Sequence, residues 1–581
     1  MFVAMIGRCS MKTHSASTIA GPEAGVRKTS SATAPVGARV AALEAAGAAV
    51  ATAILYLVTL AGNHSETEDT IPFAARLRDD PHSEAPHLVT DWFSWCAYHL
   101  ARALGITADP LRPVQVENAL FGAAAVGLLW LILRRSGRTR LITVAATGIL
   151  AFSYGFWWND VEGDVYALSA FSAVVCLTLA YRAAERPTPR SFALLGVANG
   201  AAVLIHFTNV FFAVVAAAAL LLARRRGHLR AWWKPGGAYA IAVAAVVIPA
   251  YATAASILHL GSIHAFRAWF TSTTGEGEYG NANIAMFGKG AVAAGRALVG
   301  GHSTLSLGFV RHFVEAHFPD RPLREEYFFL QGYSHALALF VLAVTIVAML
   351  LVAALAAAWL RRPALDGRGK TLGVLCLAWV LAYLPILLYW DPFNIELWYL
   401  VWIPAAVLLA LPLSDAARLL PGRTPWVFVA TMLGSLLLAN LLGSVWPQHD
   451  SARDYWHVRA AWYRSHSGSS DLVLASGYIE TGYLRYLTRA HVIDTDRVFV
   501  TSPTASAAIA KLRRRVSTAH ASHVYVSDEV FYPFVDTPAG CPRADPSICN
   551  EATALRRVFL PHSTLVAQQE RERVWELGSN P

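Results

Sequence analysis

Trp157-Trp158-Asn159-Asp160-Val161-Glu162-Gly163-Asp164-Val165-Tyr166 joins two apolar segments and carries three carboxylates where its surroundings are hydrocarbon-like. Acidic residues at the mouth of a membrane bundle cost free energy unless they are solvated, paired or bound to something. The neighbouring tryptophans and tyrosine suit a membrane–water interface, or a platform on which a ring can stack. One reading is a wet turn inside an aromatic belt. The other is a functional site, favoured because acidic and aromatic residues recur in other loops expected on the same side.

The wider chain sets the class. Of 581 residues, 55% are hydrophobic and 15% charged, and the mean hydropathy is +0.41. A soluble domain needs a more polar shell, so this is the profile of a polytopic membrane protein. The net charge of +9 does not point to nucleic acid, because much of it sits in short clusters between apolar segments. Arg134-Arg135, Arg182 with Arg186, Arg224-Arg225-Arg226 and Arg361-Arg362 are such clusters, and they read as positive-inside topology signals.

In order, residues 1–36 read as a disordered cytoplasmic tail and residues 37–446 as a membrane domain. Its spans fall near 40–61, 117–133, 141–157, 165–181, two short ones within 191–223, then 236–259, 335–359, 372–389, 396–412 and 426–446. Arg27, Lys28 and Arg39 before the first span place the N-terminus in the cytoplasm; hydropathy gives about eleven spans, an odd number that then puts the C-terminus outside, in the inner membrane of a bacterium. Two outer loops are long, 62–116 and 260–333. In the first, His87 to Leu104 is too charged to span and reads as an interfacial amphipathic helix. In the second, Ala291 to Val299 is too short to span and is expected on the surface. Residues 447–581 read as a small periplasmic α/β domain, with strands at Leu472 to Ala475, His491 to Ile493, His523 to Ser527 and Thr564 to Ala567. Cys541 and Cys549 are spaced for a short disulfide loop in an oxidising compartment, or are two free thiols. No metal-ligand spacing such as C-x-x-C occurs, so the sequence names no metal site.

Three outer turns place acids beside aromatics: Glu66 to Asp69, Asp160 to Asp164, and Asp391 to Glu396. A fourth tip offers His206 and Asn209. Brought together, they would line a cavity in which a carboxylate acts as general base on an acceptor hydroxyl. Each has a blander reading. Glu66 and Asp69 could be solvated; Glu162 and Asp164 could favour a helix dipole; Asp391, Asn394 and Glu396 could cap the next span; His206 could satisfy a tip carbonyl. The Trp157/Trp158 pair is as readily belt as sugar platform, and Tyr166 and Trp269 are further candidates for the substrate site. Arg267 and Lys289 are candidate partners for a lipid phosphate, or for ordinary anionic headgroups.

At this point the residues resemble a family. The run from Phe152 to Leu168 is similar to the F-S-x-x-F-W…V-E-x-E-V-Y-A-L segment of protein O-mannosyltransferase-like membrane proteins, of the C-fold glycosyltransferase superfamily. Leu204 to Asn209 is similar to that family's L-x-H-x-T-N turn, Phe266 to Thr271 to the start of its long outer loop, and Trp390 to Trp398 to its W-x-P-x-N-x-E-x-W turn. The resemblance implies a transferase that moves a hexose such as mannose from a polyprenyl-phosphate carrier to a glycan, lipid or protein acceptor at the membrane. It also implies a first-loop acid that serves as base or partner of a divalent metal ion. The family has Asp followed three residues later by Glu; here Glu66 precedes Asp69, with Glu68 between. The family's His-Pro-Pro segment is only echoed, by Asp80-Pro81-His82 and Ala85-Pro86-His87.

Two other readings are a transporter and a non-catalytic envelope assembly or sensor protein. A transferase should bring the outer turns together at a lipid-open groove. A transporter should show a central two-sided cavity. A sensor should leave the acids scattered.

Overall fold

The structure, a computed structural model, describes residues 37–67, 69–79, 85–107, 109–227, 231–271, 284–318, 323–361, 367–414, 422–533, 547–568 and 572–578. Among them, eight helices are long and apolar enough to cross a membrane: Ala38–Val58, Leu111–Arg135, Tyr166–Glu185, Phe207–Arg225, Trp233–Ile257, His335–Ala358, Gly367–Trp390 and Thr424–His449. A ninth candidate is a bent pair, Arg140–Phe152 with Tyr154–Glu162. Two shorter apolar helices, Pro189–Ile205 and Ile395–Ala410, stand where the sequence reading put its fifth and tenth spans. The protein is a multi-pass, mostly helical membrane protein.

The bent pair departs from expectation. Trp157 to Tyr166 is not a wet turn or an aromatic belt. Tyr154–Glu162 is a helix with all nine residues buried, Trp157 and Trp158 included. It leaves its predecessor at 55° because Ser153 is extended, with ψ of 138°. A break inside an apolar bundle frees carbonyls that must find donors. Asn440 supplies one: its Nδ2 donates to Phe152 O at 2.6 Å and to Leu298 O at 2.9 Å, while its Oδ1 accepts from Gly300 N at 3.1 Å. At the far end Gly163 takes a left-handed conformation, φ +100°, and stops the helix. Gly122 gives it room, since a Cβ there would lie 2.0 Å from Asp160 Oδ2.

The apolar piece in the second long loop is also not a surface segment. Ala285–Leu298 is a helix whose Ala293, Ala297 and Leu298 are buried, and Ala297 lies against Gly155 of the bent helix. Thr90–Ala103 is amphipathic as read: Thr90, Asp91, Ser94 and Tyr98 turn inward, and Trp92, Phe93 and Leu100 stay exposed.

The C-terminal strands are β1 (Leu472–Ala475), β2 (His491–Asp494), β3 (Val524–Val526), β4 (Ser563–Gln568) and β5 (Arg573–Leu577). They form one sheet in the order β2-β1-β3-β5-β4. β1 pairs parallel with β2 and β3, and β5 pairs antiparallel with β3 and β4. β1 is buried throughout, as a central parallel strand should be. The sequence reading missed β5, because Arg573 and Glu576 interrupt its apolar pattern. Cys549 is disulfide-bonded; Cys541 lies outside the described residues.

Asn440→Leu keeps the branched shape of the side chain and removes all three hydrogen bonds at the break. It should lower the stability of the detergent-purified protein by about 2–4 kcal/mol, the cost of orphaned buried polar groups, read as a lower melting temperature. Leu438→Ala, at a more exposed site on the same helix, should cost much less.

Candidate active site

The first loop is laced between distant parts of the chain. Ala61 N donates to Val161 O at 3.1 Å, and Gly62 N and Asn63 N both donate to Gln448 O, at 2.9 and 2.8 Å. Gly62 leaves no room for a side chain, as a Cβ would lie 2.4 Å from His449 O. Asn63 then folds the loop back: its Oδ1 accepts from Ser65 N and Ser65 Oγ, and its Nδ2 donates to Arg453 O at 2.9 Å. Gln115, from Leu111–Arg135, ties loop to helix by donating to Ala61 O and Val161 O.

This lacing brings two of the acidic turns together. His64 Nδ1 meets Glu162 Oε2, both buried. His64 N donates to Asp454 Oδ2 at 2.8 Å. Burial opposes charging of His64, but the neighbouring Glu162 and Asp454 carboxylates outweigh it and raise its pKa above the usual histidine range. Glu66 lies 3.0 Å from His302 Nε2 and accepts from Tyr154 OH and Gln448 Nε2, each at 3.4 Å. His302 is held in turn by Ser444 Oγ at 2.9 Å and is approached by Arg296 at 3.3 Å. Asp164 is buried, and burial raises its pKa well above the carboxylate range, with the nearby Asp69 charge adding to the effect. The arrangement is an acid cluster of Glu66, Asp69, Glu162 and Asp164, with His64, His302 and two arginines, Arg76 and Arg296, at its edges. Glu162 Oε1 and Asp164 Oδ2 are buried and receive no hydrogen bond from a described residue.

The remaining residues singled out in the sequence fall elsewhere. Asp160, two residues before Glu162 and so on the opposite face of the helix, accepts from Tyr399 OH at 2.6 Å. Trp158 stacks on Tyr154 inside the protein, so it presents no open face. Tyr166 lies between Tyr399 and His206, at ring distances of 6.3 and 5.3 Å. His206 packs on His87 at 4.6 Å; burial pushes His206 down to about 3 and His87 well below the usual range, so both rings are neutral. Asn209 is spoken for by Ser169, Ala202 and Tyr383 and serves the packing of its tip. Asp391 closes a turn on Phe393 N and Asn394 N, and Asn394 caps Ile395–Ala410 through Glu396 N. Their turn meets Ala285–Leu298, where a Cβ on Gly290 would be 3.9 Å from Pro392. Trp269 packs on Tyr251 and Phe266. Arg267 and Lys289 are exposed on Ile263–Thr271 and Ala285–Leu298. Glu68 lies outside the described residues. Among the described residues, no group of three or more His, Cys, Asp or Glu side chains is placed to hold a metal ion.

Sequence reading missed His64, Arg296, His302, Gln448 and Asp454. His64 and His302 lie 238 positions apart in a chain with 20 histidines, and no local spacing marks them. Gln448 had a signal in being a polar residue at the end of the last span.

Residues 86–251 match the family described as dolichyl-phosphate-mannose-protein mannosyltransferase. No curated protein sequence matches the chain. Among solved structures, ArnT from Cupriavidus metallidurans bound to undecaprenyl phosphate is similar with a TM-score of 0.54 at 12% identity, over 91% of this chain and 97% of ArnT. The apo state of that protein gives 0.53 at 11% identity, over 93% and 99%. Arabinofuranosyltransferase AftD from Mycobacteria gives 0.43 at 16% identity, over 94% of this chain and 42% of AftD. The likeness to ArnT is one of fold, and the matched segment covers the bent helix and the His206 tip. Residues 86–251 are thus similar to a family of membrane mannosyltransferases, and the chain as a whole has the fold of ArnT.

Proposed function

We propose that the chain transfers a hexose from a polyprenyl-phosphate carrier to a hydroxyl of a glycan, lipid or protein at the periplasmic face of a bacterial inner membrane. The observation that carries this reading is the convergence of Glu66 and Asp69 with buried Glu162 and Asp164 at one end of the bundle. The fold supports the donor class, since ArnT of the same fold is seen bound to undecaprenyl phosphate. The basic clusters at the other ends of the spans support a cytoplasmic N-terminus and a periplasmic C-terminal α/β domain, residues 447–581.

Asp69 is the base in this proposal. It immediately precedes the Thr70–Asp79 helix, where a negative charge is favoured. Burial drives its neighbour Asp164 toward the neutral acid. Asp69 takes the proton of the acceptor hydroxyl. The acceptor oxygen bonds to the anomeric carbon, and the bond from that carbon to the phosphate oxygen breaks with its electron pair going to the phosphate. One displacement inverts the anomeric centre. Glu66, fixed by His302, Tyr154 and Gln448, holds the loop and orients the acceptor. Glu162 and Asp164 accept from the acceptor's other hydroxyls, with Asp160, Tyr166, His206 and Glu396 at the margin of the sugar site. Negative charge develops on the departing phosphate, so a fixed cation there helps most in the transition state. Arg296 beside His302 supplies it; Arg267 and Lys289, exposed on their helices, draw the carrier in from the lipid surface.

The test is transfer of label from radiolabelled polyprenyl-phosphate mannose or glucose to an envelope extract, in liposomes. Asp69→Asn should cut turnover about 10²–10⁴-fold, the range of a lost general base, and Glu66→Gln should cut it less. Consumption of neither donor by the wild type would contradict the proposal. Arg296→Gln should lower turnover about 10²-fold, as for a lost transition-state donor. Arg267→Gln and Lys289→Gln should instead raise the donor KM about 2–5-fold, the size of a screened surface attraction. Equal effects of all three variants on KM alone would remove Arg296 from its role.

A further inference from the structure

We infer that Asp454 and Tyr483 are positioning residues of the active site, so that the C-terminal part of the chain fixes the loop that carries the acids. Asp454 is fully buried and uses both of its oxygens. Oδ1 accepts from His457 N at 2.8 Å and caps the Tyr455–His466 helix. A cap needs no more than that. Oδ2 faces the other way and accepts from His64 N at 2.8 Å and from Tyr483 OH at 2.7 Å. The His64 backbone, two residues before Glu66, is therefore held by a carboxylate 390 positions away.

Tyr483 grips the other end of the same loop. It lies on Tyr478–Leu487, which packs on Thr70–Asp79, the helix that Asp69 precedes. Gly482 makes the approach close, since a Cβ there would be 2.5 Å from Pro72 Cγ. Arg78 donates to the Arg485 and Tyr486 carbonyls at 2.8 and 2.7 Å, so the helices are also tied at their far ends. Ile71, Ala74, Tyr455, Trp456 and Tyr483 share one apolar cluster. Behind it, Arg459 joins Tyr455 OH, Glu529 and Glu572, and Arg324 joins Glu529 at 2.9 Å. His64 and Asp69 are thus both referenced to one rigid block, and the loop between them carries Glu66. A shift of about 1 Å in such a loop can cost a hundredfold in rate, which is why its anchors matter.

This inference rests on the transferase reading above, and its test separates the two. Asp454→Asn and Tyr483→Phe would be made in the full chain, with amide hydrogen exchange read for residues 60–69 and for 119–133 as an internal core standard. Exchange across 60–69 should rise about tenfold or more in Asp454→Asn and less in Tyr483→Phe, with the core standard unchanged, as for a local opening. Turnover should fall about 10–100-fold in Asp454→Asn while the donor KM stays within about threefold, a loss confined to the reacting geometry. Because Tyr483 acts through Asp454, the double variant should be no worse than Asp454→Asn within about twofold. Unchanged exchange at 60–69 in both single variants, or losses that multiply in the double variant, would overturn the inference. If the wild type transfers no sugar, the transferase reading falls, and the exchange measurement alone decides the positioning.

Discussion

A carboxylate removed from water must be paired, and the structure is arranged about the pairing of Glu162 with His64. Glu162 ends a helix that is buried along its whole length. His64 belongs to a loop nearly a hundred positions earlier, and its backbone is held by Asp454 from near the other end of the chain. Removing one partner of a buried ion pair costs about 3–5 kcal/mol, so the pair binds three separate stretches into one geometry. The neighbouring acids are placed by the same contacts.

Such crowding of acids is not the cheapest way to fill a core. An apolar helix end would satisfy the bundle equally well, and buried ion pairs are weak contributors to stability. Here the acids are gathered with His64 and His302 on one side and arginines at the rim, and two of their oxygens receive no donor from a described residue. That pattern fits a site that binds hydroxyls and stabilises developing charge better than it fits a structural core. The transporter reading expects a central two-sided site, whereas the acids meet at one end of the spans. The sensor reading expects scattered acids, and four of them stand together.

Much of the fold was legible because its physics is local. Hydropathy located every long apolar helix, and four of the five strands read correctly from short β-branched runs between turns. The bent helix did not, because its departure from a straight span depends on Asn440 reaching Phe152 across 288 positions. The burial of Trp157 and Trp158 was misread for a related reason. Tryptophans beside acids are typical of an interface, and only the packing of Ala285–Leu298 against Gly155 shows that this end is covered. The acids themselves were visible from composition in an apolar setting, but Asn209, Asp391 and Asn394 turned out to hold turns and caps, where their side chains have local partners. His64 and Asp454 carried no local signal, since the contact that gives them a role joins residues 390 positions apart.

The most direct test is an experimental structure of the chain with polyprenyl phosphate bound in a lipid nanodisc. The acid cluster being the reaction centre requires the phosphate to lie within hydrogen-bond distance of Arg296, and on the same side as Asp69 and Glu66. A phosphate seated away from these residues, for example against the basic clusters that separate the spans, would contradict it.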